Sequence, residues 1–222
     1  MPDMMRAVLE GLLEVIKALA PVATAFIAFF ALRNWQRQDK AKREADFLDA
    51  LIEATHAYIV EMPTPITILQ MAKIGMESHA QTWETGDESD IAVKGAIAYI
   101  EKYGEETSKR LLGVLETVRP SVIILRSLAA KGQVFKFNGY AKCWNAVTML
   151  TWHFGRIEAF AGLIGSSTWN WQHPEVLSHL KNMMAIGPDE IRKSLAENNA
   201  AILEFSSETY ERVYGMKRRR SK

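Results

Sequence analysis

The chain has 222 residues, with 27 Lys plus Arg against 26 Asp plus Glu and a single cysteine. One cysteine excludes a disulfide framework and a thiolate metal cage, and fits a reducing compartment. Setting an N-terminal apolar segment aside, the length leaves one domain with enough residues for a core of its own.

The net charge of +1 conceals a division, because residues 44 to 216 hold 15 basic against 22 acidic side chains, a balance of −7. The basic excess lies instead at Arg33, Arg37, Lys40, Lys42 and Arg43, and in the tail at Lys217, Arg218, Arg219, Arg220 and Lys222. An acidic body argues against a nucleic-acid surface, so no nucleic-acid partner is expected. The two basic clusters suit anionic lipid, where each Lys or Arg close to the surface adds about 1 kcal/mol. A solvated tail is the alternative for the second cluster.

In chain order, the first feature is an uncharged apolar run from Ala18 to Leu32, 15 residues long, that ends at Arg33. A spanning helix needs about 20 apolar residues, so a span must begin further back, near Val8. That extension takes in Glu10, Glu14 and Lys17. On a helical wheel these three and Arg6 fall within roughly 80°, and Ala20, Thr24, Ala28 and Ala31 continue the same face. Val8, Leu12, Val15, Leu19, Val22, Phe26 and Phe29 lie opposite.

Small residues at this spacing let spanning helices approach closely, and ionisable groups at membrane depth face a partner or an aqueous cavity. A homo-oligomer is therefore expected, associating through Arg6, Glu10, Glu14, Lys17, Ala20, Thr24 and Ala28. A helix lying along the membrane surface, with only its later part inserted, stays open as an alternative. Pro21 suits either, since it can kink a continuous helix or begin a new one.

Basic residues concentrate after the apolar segment, so the bulk of the chain is expected in the cytoplasm, with the N-terminus outside a plasma membrane, the inner membrane in a bacterium. Trp35 then falls at headgroup level. No A-x-A cleavage pattern follows the segment, which argues against a removed secretory signal. The expected layout is an anchor over 1–33, a juxtamembrane helix over 34–62, a helical bundle over 63–214 and a basic tail over 215–222.

Every later segment reads as helix, giving an all-α fold in which an N-terminal transmembrane helix continues into a cytoplasmic bundle. Leu48, Leu51, Ile52, Thr55, Tyr58, Ile59 and Met62 recur at three- and four-residue steps, and Pro63 ends the run. Thr64 and Pro65 then suit the cap and first turn of a second helix, which should close near Trp83 before the polar stretch 84–89. A third helix follows through Ile91, Ile97, Ile100 and Tyr103, with Gly104 as a possible break. A fourth runs through Leu111, Leu112 and Leu115 toward Val118, and Pro120 either kinks it or opens a short helix carrying Ile123, Ile124 and Leu128.

Lys131 to Gly139 reads as a connection. Tyr140 to Ile164 is the most apolar later stretch, but Lys142, Arg156 and Glu158 favour a central core helix over a second span. After the loop 165–173, Pro174 starts a short helix to about Met184. Gly187-Pro188-Asp189 introduces the last helix, where Ile191, Leu195, Asn198, Ile202, Phe205, Thr209 and Val213 form a seam.

Phosphate-loop, nucleophile-elbow, H-E-x-x-H and G-x-G-x-x-G patterns are missing. Glu53 and His56 have E-x-x-H spacing, but a two-metal bundle site needs a second such pair and further carboxylates, so no metal, cofactor or catalytic set is expected. His153 reads as a core or boundary histidine, and Glu158, five residues on, points away from it. Cys143 should be a buried, inert thiol.

Trp169, Trp171 and His173 form an aromatic loop able to touch a headgroup, ligand or protein partner, although packing onto the domain is the commoner fate. The functional expectation is a single-pass anchored protein acting through self-association and protein binding, as sensor, scaffold or membrane effector. Its rivals are an anchored enzyme with a site in the bundle, and a soluble helical protein with a peripheral amphipathic N-terminus.

Overall fold

The computed structural model describes residues 2–80, 87–166 and 168–215, without the side chains of 2–16, 18 and 89. It is all-α, with no strand among the described residues: α1 (Pro2–Glu61), α2 (Pro63–Ser78), α3 (Glu88–Tyr99), a π-helical turn (Ile100–Gly104), α4 (Glu105–Phe135), α5 (Tyr140–Ile164), α6 (Pro174–Met184) and α7 (Pro188–Tyr214). Two compact units divide inside α1, one of residues 1–46 and one of residues 47–222.

The second unit is a helical bundle built around α5, which packs against α4 on one side and α7 on another, while α2 meets α3, α4 and α7. Apolar periodicity accounts for these faces. On the C-terminal part of α1, Leu48, Leu51 and Tyr58 are fully buried, as is Met62 just after it, and Ile52 and Ile59 are half-buried. The buried Tyr58 hydroxyl donates to the Leu150 carbonyl on α5, and burial pushes its ionisation well above the ordinary phenol range. On α7, Ile191, Leu195, Ile202, Phe205 and Thr209 are buried, with Asn198 and Val213 at the edge of the seam.

Several expected boundaries move for physical reasons. Gly104 does not break the chain, because it keeps helical angles of −61° and −44° at the end of the π turn. Its role is steric: a Cβ there would lie 2.2 Å from the Ile164 carbonyl oxygen. Pro63 rather than Pro65 opens α2, and Met62 rather than Thr64 occupies the cap position; the helix closes at Ser78, short of Trp83. Pro120 lies inside a single α4 and exposed on it, where water can take the Glu116 carbonyl left without an amide partner. Ile123 and Ile124 are exposed rather than core.

The connection before α5 shrinks to residues 136–139. Lys136 takes the left-handed conformation at φ 54° and Gly139 at φ 76°, which reverses the chain within four residues. Helix α4 can continue to Phe135 because the rings of Phe47, Phe135, Phe137, Tyr140 and Phe205 meet there, with centroids 5.2–5.8 Å apart for Phe137 with Phe47, Phe135 and Phe205. The Tyr140 hydroxyl donates back to the Ala129 carbonyl at 2.6 Å.

Candidate functional site

In the first unit, the described part of α1 presents large apolar side chains to solvent. Leu19, Val22, Phe26, Ile27, Phe29, Phe30, Leu32 and Trp35 are all exposed, Ile27 at 70% and Phe26 at 62%. Those of the uncharged run cover roughly 220° of the helix, leaving Ala20, Thr24, Ala28 and Ala31 on the remaining arc, and Trp35 follows Arg33 on that second side. Among the described residues, however, no helix is long and apolar enough to cross a membrane. The expected spanning, single-pass segment is therefore not supported there: from Leu19, the uncharged stretch reaches only to Leu32, short of the ~20 residues a span requires.

The expected self-association face divides at the same point. The side chains of Arg6, Glu10 and Glu14 lie outside the described residues, whereas Lys17, Ala20, Thr24 and Ala28 are exposed. Thr24 Oγ1 donates to the Ala20 carbonyl at 2.8 Å, so its hydroxyl is satisfied within the helix. Of the basic group, Arg33, Arg37 and Lys42 are exposed, Arg43 pairs with Asp39 at 2.5 Å, and Lys40 lies 3.7 Å from Glu44. Lys217, Arg218, Arg219 and Arg220 lie outside the described residues.

In the second unit, the aromatic loop splits in its behaviour. Trp171 packs against the core, and its buried Nε1 has no hydrogen-bond partner among the described residues. Trp169 stays 43% exposed while its Nε1 donates to the Leu163 carbonyl at 3.2 Å. His173 is exposed and precedes Pro174 at the start of α6. Only Trp169 and His173 thus remain available to a partner.

The bundle also holds a polar seam between α5 and α7. His153, 1% exposed, has Nε2 at 2.8 Å from Ser194 Oγ. Asn198 Nδ2 donates to the same oxygen at 3.0 Å and to the Ser194 carbonyl at 2.7 Å. The buried Nδ1 of His153 has no partner among the described residues. Burial, and secondarily the Arg156 guanidinium, push the imidazole below its ordinary value of 6.5, with Glu190 opposing. Arg156 lies over the Trp152 ring at 4.5 Å and pairs with Glu190 at 3.4 Å, while Glu158 turns to Arg119 at 2.8 Å.

This seam keeps a neutral imidazole beside a serine hydroxyl. It lines none of the larger clefts. Three clefts of the second unit lie elsewhere: about 440 Å³ on α7 beside Glu197, Glu204 and Glu208, about 360 Å³ between α4 and α5 beside Arg126, Trp144 and Trp152, and about 170 Å³ beside Tyr99, Thr107 and Arg110. Among the described residues no three His, Cys, Asp or Glu side chains come together as a metal site, and Glu53 and His56 are exposed on α1.

Sequence reasoning missed a cation that joins two distant helices. Lys73 Nζ donates at 2.7 Å to the carbonyls of both Met184 and Ile186, capping the end of α6. Burial lowers the ammonium's ionisation, with Glu77 opposing and Arg156 adding to the shift. Its only sequence signal was a lysine interrupting an apolar run. No protein-family model matches this chain, and neither the curated proteins nor the solved structures contain a match.

Proposed function

We propose that this is a membrane-anchored all-helical protein that acts by self-association and protein binding. One observation carries the reading: residues 19–32 expose seven large apolar side chains over roughly 220° of α1, with only small uncharged residues on the remaining arc. A helix apolar all round belongs in a protein interior or in lipid. The exposed Arg33, Arg37, Lys42 and Arg43 follow directly and suit the anionic face of a membrane. In this reading the apolar segment crosses the bilayer as a single pass completed by residues upstream of Leu19, the N-terminus lies outside, and the bundle lies in the cytoplasm.

Ala20, Thr24 and Ala28 then bring two copies together on a face of small side chains, while Trp169 and His173 are the exposed contacts open to a cytoplasmic partner. Carbonate washing of membranes containing the full-length chain tests the span. Retention in the pellet is expected, and release into the wash would replace the span with a surface-bound helix. Crosslinking in the same membranes tests self-association. Thr24→Leu with Ala28→Leu should shift the population toward monomer, and an unchanged distribution would rule out this face.

A further inference from the structure

We infer that α1 carries a binding stripe for one anionic phospholipid, with its phosphate held between Arg33 and Arg37. The inference rests on the membrane reading above and adds to it a lipid class and a helix face. Leu19, Phe26 and Phe30 lie within roughly 80° of one another and of Arg33, Arg37 and Lys40, so an apolar half and a basic half share one line along the helix. All six side chains are exposed.

Leu19 to Phe30 covers roughly 16 Å of helix at 1.5 Å per residue. One leaflet contributes about half of a hydrocarbon core of about 30 Å. The apolar half therefore matches the depth of a single set of acyl chains, and Arg33 and Arg37 fall where that lipid's phosphate lies. Neither forms an ion pair among the described residues, in contrast to Arg43, which Asp39 already neutralises at 2.5 Å. Guanidinium groups recognise phosphate through paired hydrogen bonds.

A headgroup with its own ammonium would set a fourth cation beside Arg33, Arg37 and Lys40, so charge complementarity selects a net-negative lipid. The stripe lies opposite Ala20, Thr24 and Ala28, so lipid and a second copy occupy different sides of the helix.

The test uses the full chain in nanodiscs of equal phosphatidylglycerol and phosphatidylcholine, with native mass spectrometry of the lipids retained after release. The unmodified chain should retain phosphatidylglycerol preferentially. Arg33→Gln with Arg37→Gln should lower the ratio of the two retained lipids about twenty-five-fold, each arginine contributing a factor of about five. Lys42→Gln with Arg43→Gln removes the same charge from other sides of the helix, where Asp39 already pairs with Arg43, and should lower the ratio by no more than about fivefold. Equal losses in the two double variants would overturn the stripe in favour of a diffuse basic field, and absence of selectivity in the unmodified chain would overturn it outright. A chain that fails to enter these mixed nanodiscs would instead overturn the membrane reading.

Discussion

Two glycines of the same helical run, Gly104 and Gly113, should respond to alanine in opposite directions. At Gly104 the new methyl would meet the Ile164 carbonyl oxygen at 2.2 Å and Ile100 Cγ2 at 3.1 Å, whereas ordinary contact begins at 3.4 Å. The nearer obstacle is backbone, so relief requires the end of α5 and the π turn to move apart. Overpacking of this kind costs about 1–3 kcal/mol, and a displacement near 1 Å places it in the upper part of that range. Alanine's advantage in a helix offsets about 1 kcal/mol.

A net loss of about 2 kcal/mol should lower Tm by roughly 4–8 °C for a chain of this size. At Gly113, exposed on α4 with nothing within 4 Å, only the propensity gain remains, and Tm should rise by roughly 2–4 °C. Thermal unfolding of the full-length protein in detergent, followed by far-ultraviolet circular dichroism, reads both variants. If Gly104→Ala proves neutral or stabilising, the close approach of the π turn to Ile164 is wrong.

Three further outcomes are expected. His153 is held neutral in the fold, with its ionisation lowered from 6.5, so the unfolded chain takes up the proton first. Its contribution is complete above pH 6.5 and is lost as pH falls through the lower folded value, so Tm should drop on acidification and His153→Leu should flatten that part of the profile. The Cys143 thiol is buried, which pushes it up to about 12; it should ignore Ellman's reagent in the folded protein and react fully in denaturant. Lys73→Met leaves the Met184 and Ile186 carbonyls without their shared donor, and should destabilise by about 1–3 kcal/mol, with faster amide exchange confined to the end of α6.

Local chemistry made much of this fold legible. Proline lacks an amide hydrogen and has a preset φ, so Pro174 and Pro188 mark helix starts in the sequence, and α6 and α7 begin at those residues, whereas α2 begins at Pro63 rather than after a Thr64 cap. Helical periodicity likewise reveals the core faces of α5 and α7, because amphipathic spacing reports burial without any knowledge of what covers it.

The candidate site was legible only in part. The apolar run from Leu19 to Leu32 and the basic residues after it are legible in the sequence, yet which of them can reach lipid depends on what packs against α1. Trp169 and Trp171 are two residues apart, and nothing local separates the exposed ring from the half-buried one.

The sequence by itself determined an all-helical chain, the places where most helices begin, and the concentration of positive charge beside an apolar segment, because each depends on covalent neighbours or on spacing within one helix. Tertiary structure alone decided that Gly104 continues a helix, that His153 meets Ser194 across 41 residues, and that Lys73 reaches Met184 across 111. Those outcomes depend on how closely separate helices approach, and no residue's own preference encodes the carbonyl or hydroxyl it will face.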